Sequence, residues 1–146
     1  MEMEFQLLDV ETLDLVDGIL PLMDFYPNDP HIKPEFNQNT VEVCSKICSS
    51  IDELGAHMRA LLRNLQDTCK QLDMLLCSAG THPFGERLAL ITPMPRYRQL
   101  EKSAGYVGHN QITFATHVHL GMTSGDEATC LMHELKALLP LLIASL

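Results

Sequence analysis

Basic residues are scarce in this chain of 146 amino acids: ten Lys and Arg stand against nineteen Asp and Glu, for a formal charge of -9. That sign is wrong for tracking a phosphate backbone or an anionic membrane surface, which excludes nucleic acid and membrane as partners. A long apolar run is also missing. The most apolar stretch, Leu135 to Leu146, is about a dozen residues broken by Pro140, too short for a hydrocarbon core of roughly 30 Å. The five cysteines, Cys44, Cys48, Cys69, Cys77 and Cys130, make no Cys-x-x-Cys pair and follow no secretory signal. This pattern is expected of reduced thiols in a cytoplasmic protein. Cys44 and Cys48, one helical turn apart, would make a poor zinc site without further ligands, and read better as small hydrophobes. Repeats and low-complexity tracts are absent too, so one globular domain over 1–146 is expected. Small anionic substrates stay admissible, because bound divalent cations invert the local field of a carboxylate cluster.

What is present alternates between two periods. Met1, Met3, Phe5 and Leu7 alternate with Glu2, Glu4 and Gln6, the period of a half-buried strand. A short, broken helix follows between Glu11 and Tyr26, interrupted by Gly18 and Pro21, and Pro27-Asn28-Asp29-Pro30 is a turn. Residues 32–36 and 40–45 suit a hairpin around Asn37-Gln38-Asn39. Ser49 or Ser50 can cap the next helix, with Asp52 and Glu53 in its first turn. Ile51, Leu54, Met58, Leu61, Leu62, Leu65 and Leu72 then recur at helical spacing. A buried strand over 74–79, a loop from Gly80 to Gly85, a helix over 96–107, a strand over 111–121 and a last helix from Gly125 to the end complete an α+β chain. That last helix is apolar nearly all round as far as Ile143, so it is expected to be covered by a further portion of chain or by another subunit.

Four sets of residues carry chemistry. Glu2 and Glu4 share a strand face about 6.6–6.8 Å apart, from which two carboxylates reach one or two cations; the bland alternative is a pair solvated on a wet face. Glu35 and Glu42 flank the hairpin, with Glu42 on the face opposite Val41 and Val43. Four glutamates on neighbouring strands repel one another unless cations or water intervene. His117 and His119 share a face, while Phe114, Thr116, Val118 and Leu120 take the other, and two such imidazoles suit a metal or a phosphate equally. Thr81, His82, Arg96 and Tyr97 lie at a loop and a helix start, where donors are exposed to an anionic substrate.

In order and spacing, Met1-Glu-Met-Glu-Phe-Gln6, Lys33-Pro-Glu-Phe-Asn-Gln-Asn-Thr-Val-Glu42, Gly80-Thr-His-Pro-Phe84 and His117-Val-His-Leu-Gly121 resemble the bacterial glutamate-cysteine ligase type 2 family. The resemblance covers essentially the whole chain, including Arg96-Tyr97 and Ser124-Gly-Asp-Glu127. It implies part of a glutamine synthetase-like catalytic domain: a mostly antiparallel sheet with helices packed on one side. It also implies Mg2+ or Mn2+ held by Glu2, Glu4, Glu35, Glu42 and His117, ATP near His117 and His119, and substrate contacts from Thr81, His82, Arg96 and Tyr97. The implied reaction phosphorylates the γ-carboxylate of glutamate and lets an amine such as that of cysteine attack the acyl phosphate. Family members are more than twice as long, so this chain by itself is expected to be weak or inactive.

Two other readings compete. One is a non-catalytic remnant or interaction module that uses its apolar last helix, through which a homo-oligomer could also form. The other is a zinc hydrolase built on His117, His119 and a carboxylate.

Overall fold

The computed structural model describes residues 1–85, 88–110 and 112–144. A strand beginning at Gln111, and a last helix and domain running through residues 145 and 146, lie at those points outside the described residues. In chain order the elements are β1 (Glu2–Asp9), α1 (Ile19–Met23), β2 (Ile32–Pro34), β3 (Thr40–Cys44), α2 (Ile51–Gln71), β4 (Met74–Cys77), α3 (Pro95–Ala104), α4 (Tyr106–Asn110), β5 (Thr116–His117) and α5 (Gly125–Ala144).

Strand β1 is the hub of an antiparallel sheet. On one side it pairs with β3, which pairs in turn with β2; on the other, β4 takes its second half and β5 its start. The two-residue alternation seen in the sequence therefore sorts β1 into two faces. Phe5 and Leu7 join Ile19, Leu22, Val41, Val43, Leu65 and Met74 in a single apolar cluster. The charged and amide side chains of Glu2, Glu4 and Gln6 go to the opposite face.

Helix α2 covers the apolar face, burying Met58, Leu65 and Cys69 at the spacing its sequence pattern predicts. Its start is fixed by two serines. Ser50 Oγ accepts the Glu53 N–H at 3.2 Å, and the Glu53 carboxylate accepts the Ser49 N–H at 2.9 Å while pairing with Lys46 Nζ at 2.7 Å. Chief among the causes, the Lys46 contact pulls the Glu53 carboxyl down to about 2.

Two expectations change in detail. The helix over 96–107 divides into α3 and α4, because Gly105 adopts φ +54, a conformation glycine tolerates and a continuing helix does not. The strand over 111–121 shrinks to Thr116–His117, since the Ala115 N–H is donated at 2.8 Å to the Glu4 side chain rather than to a main-chain oxygen. Phe114 is buried there, but Val118 and Leu120 are exposed. Among the described residues α5 buries none of its side chains, and no helix is long and apolar enough to cross a membrane.

Removing the α2 cap with Ser50→Ala should cost about 1 kcal/mol in urea unfolding. Because the Glu53 carboxyl is depressed in the folded state, its contribution is present above its unfolded value and disappears as pH falls toward about 2. The stability gap between wild type and Glu53→Gln should accordingly be open at pH 7 and closed at pH 2, measured by denaturant midpoints across that range.

Candidate functional site

The polar face of the sheet is organised as cross-strand rows. In the first row Cys44, Glu2 and His117 stand side by side, since Glu2 pairs with Cys44 on β3 and with His117 on β5. In the second, Lys33 faces Glu42, and Glu42 faces Glu4. The third sets Thr40, Gln6 and Cys77 together. Two like charges directly opposite each other, as in Glu42 and Glu4, weaken a sheet unless something offsets them.

Glu35 lies one residue beyond β2, and three contacts hold it there. Thr92 Oγ1 donates to the Glu35 main-chain oxygen at 2.6 Å, Tyr97 Oη donates to the Pro34 oxygen at 3.0 Å, and the Phe36 N–H is donated back to the Glu35 carboxylate at 2.8 Å. The buried Tyr97 ring also meets Phe36 edge-on, and Arg96 donates to its hydroxyl. So placed, oxygen atoms of Glu4, Glu35 and Glu42 come within 4.8 Å of one another. Burial above all, opposed by the Phe36 N–H and seconded by the Glu42 and Glu4 charges, pushes the Glu35 carboxyl above its ordinary value, with Arg96 pulling weakly the other way.

A second donor set shares this strand. His119 Nε2 lies 2.9 Å and His117 Nδ1 3.4 Å from the same Glu2 oxygen, and the three residues form another group within 4.8 Å. The His119 hydrogen bond leads the causes that hold Glu2 below the usual carboxylate range. Both histidines thus converge on Glu2.

The sequence reading missed two members of the site. Cys44 Sγ donates to Glu42 Oε1 at 3.0 Å, and Lys33 Nζ stands 3.2 Å from that sulfur and 3.5 Å from Glu42 Oε1. Burial, then the Glu42 contact, pushes the thiol up to about 11, which keeps its proton on sulfur to donate. The signal was in the strand period: Cys44 is two residues beyond Glu42, hence on the same face. Its suggested pairing with Cys48 across a helical turn does not occur, since Cys44 is in a strand and Cys48 donates to the Lys46 oxygen from a loop.

Two cavities adjoin the carboxylates. One of about 350 Å³ is lined by Glu4, Glu35, Asn37, Thr40, Thr113 and His117 among others. Another of about 1040 Å³ lies past Glu2 and His119, with Lys33, Lys46, Ile51 and Val118 in its wall. Thr81 and His82 line neither. Thr81 donates to the Ile112 oxygen and His82 reaches the Leu13 oxygen, so both tie loops together. Arg96 and Tyr97 stand behind Glu35 rather than in the cavity wall.

Residues 1–145 match glutamate-cysteine ligase family 2. The chain belongs to that family. Among curated relatives, each bearing glutamate–cysteine ligase 2 as a provisional name, a protein of Trichormus variabilis is 48% identical over 144 residues, covering 99% of this chain and 37% of its own length. One from Legionella pneumophila is 33% identical over 148 residues, covering 98% and 38%. A third, from Gloeobacter violaceus, is 31% identical over 149 residues, covering 99% and 40%. This member of glutamate-cysteine ligase family 2 therefore spans well under half the length of those relatives.

A glutamate-cysteine ligase family 2 chain without bound cation should carry the cost of its crowded carboxylates. Since the folded state raises the Glu35 carboxyl, folding binds protons there, and stability should fall as pH rises through that raised value. Glu35→Gln, which keeps an acceptor for the Phe36 N–H, should raise the stability of metal-free protein at pH 7 by up to about 1 kcal/mol and flatten that limb, read by chelator-treated thermal melts.

Proposed function

We propose that this chain supplies part of the active site of an ATP-dependent carboxylate–amine ligase, forming a γ-glutamyl amide from glutamate and an amine such as cysteine through an acyl phosphate. The observation that carries this reading is the convergence of Glu4, Glu35 and Glu42 beside Glu2, His117 and His119 on one sheet face. A set made only of carboxylate oxygens fits a hard divalent cation, Mg2+ or Mn2+, better than a thiophilic one. When bound, such a cation would neutralise phosphate charge and polarise the phosphoryl oxygens.

The chain's own residues then divide the work. Glu4, Glu35 and Glu42 would hold the cation, with Glu2 between this group and the imidazoles. His117 and His119 offer N–H groups to phosphate oxygens. The larger cavity, with Lys46 and apolar Ile51 and Val118, suits ATP, and the smaller, with Asn37, Thr40 and Thr113, suits glutamate. Phosphoryl transfer of this kind rests on positioning and charge neutralisation, so no protein nucleophile is required and none of the cysteines need react. Because the chain covers only 37% to 40% of its relatives' length, we further propose that by itself it releases little phosphate.

A Mn2+ titration followed by water-proton relaxation tests the central point. Saturable binding should weaken by at least about tenfold in Glu4→Gln and in Glu42→Gln, the loss of one charged ligand each. A wild-type chain that leaves the relaxation unchanged would sink the ligase reading. Stoichiometric zinc in protein purified without chelator would point instead to the hydrolase alternative built on Glu2, His117 and His119.

A second reading, association through α5, is favoured by the exposure of Leu138, Leu139, Leu141 and Ile143 on one helix. Sedimentation should show concentration-dependent dimers that Leu141→Lys dissociates; a monomer at every concentration removes this reading.

A further inference from the structure

Gln6 is the anomaly of the polar face. Its side chain is fully buried, and among the described residues neither its Nε2 nor its Oε1 has a hydrogen-bond partner. Leaving a buried amide unpaired costs on the order of 1–3 kcal/mol, so a group of this kind calls for a physical reason. Position supplies one. Gln6 is two residues along β1 from Glu4, on the same face, and directly opposite Thr40 on β3. Thr40 forms part of the wall of the smaller cavity, together with Glu4, Glu35 and Asn37.

In the free chain the Thr40 hydroxyl donates to Asn39 Oδ1 at 3.0 Å. Asn39 is itself held against β1, its main-chain oxygen accepting the Leu7 N–H at 2.8 Å. A hydroxyl has one proton to donate. If a carboxylate enters the cavity and takes that proton's hydrogen bond, Asn39 Oδ1 is left without its donor, in a buried place where the loss is costly. The unpaired Gln6 carboxamide, on the residue opposite Thr40, has two N–H donors to offer in exchange.

We propose that Gln6 is a positioning residue for the amino-acid substrate: its idle carboxamide replaces the hydrogen bond that Thr40 gives up when an amino acid's carboxylate enters the smaller cavity. This inference rests on the assignment of that cavity to glutamate. Gln6 touches no reacting atom; it acts through Thr40 and Asn39, and the free chain stores the cost of its unpaired amide until ligand arrives. Strand position 6 is thereby kept polar against the preference of the buried sheet around it.

The test uses the whole 146-residue chain, L-glutamate and Mn2+. Gln6→Met keeps length and removes both polar atoms. It should melt at a higher temperature than wild type without ligand, retain wild-type Mn2+ affinity, and bind L-glutamate about tenfold more weakly in calorimetry with Mn2+ present, the loss expected for one exchanged hydrogen bond. A variant that melts lower than wild type, or that binds glutamate as wild type does, overturns the inference. Should the variant fold poorly, the wild-type chain with nitrogen-15 in its glutamine amides gives a second readout. The Gln6 NH2 resonance should move on glutamate addition and stay in place with Mn2+ alone; a resonance indifferent to glutamate overturns the proposal. A wild type that binds Mn2+ and no glutamate also overturns it while leaving the cation site intact, whereas one that binds neither removes the ligase reading itself.

Discussion

Glu4 and Glu42 face each other across two hydrogen-bonded strands, and the polar side of the molecule is arranged around that repulsion. Glu35 adds a third carboxylate within the same 4.8 Å. Nearby positive charge is thin: Lys33 lies at 3.5 Å from Glu42, and Arg96 acts on Glu35 only weakly. Like charges this close persist in a native sheet only where surrounding structure over-determines them or where a cation completes them. The surroundings here do constrain them, because Glu35 is pinned by Thr92, Tyr97 and its own neighbour's N–H before any ligand is considered.

The apolar face makes that arrangement affordable. Val41 and Val43 are fully buried on either side of Glu42, and Phe5 and Leu7 are buried on either side of Gln6. Shifting β3 by one residue against β1 would turn the valines to solvent and the glutamate into the core. Packing of α2 over the valine side therefore fixes which carboxylates meet, although α2 contributes no residue to either carboxylate cluster. Stability and site geometry are therefore linked through the strand register.

Chemistry changes along the face within a few residues. The oxygen-only group at Glu4, Glu35 and Glu42 suits hard cations, while Glu2 sits where imidazoles and the Cys44 thiol also converge. Lys33 beside Cys44 and Glu42 places an ammonium at the border between these two environments. The face is thus graded from cationic and nitrogen-bearing at the Glu2 end to neutral amide and hydroxyl at Gln6 and Thr40.

The sequence by itself determined what period and local preference can determine. The alternation through Glu2, Glu4 and Gln6, the hairpin around Asn37 to Asn39, the start of α2 at Ser49 or Ser50 and the two histidines two residues apart were all legible, because strand faces and helix caps are written within a few positions of one another. Family membership was legible for the same reason, from the order of short motifs. Only the tertiary structure decided how Glu35, which the family resemblance already grouped with Glu4 and Glu42, is held beside them, that Cys44 and Lys33 belong to the site, and that Thr81 and His82 bond the main chain of distant loops. Each of these depends on which strand lies beside which, and on contacts spanning tens of residues, such as Thr92 to Glu35. Pairing of distant segments is set by the packing of the whole core, and no local pattern encodes it.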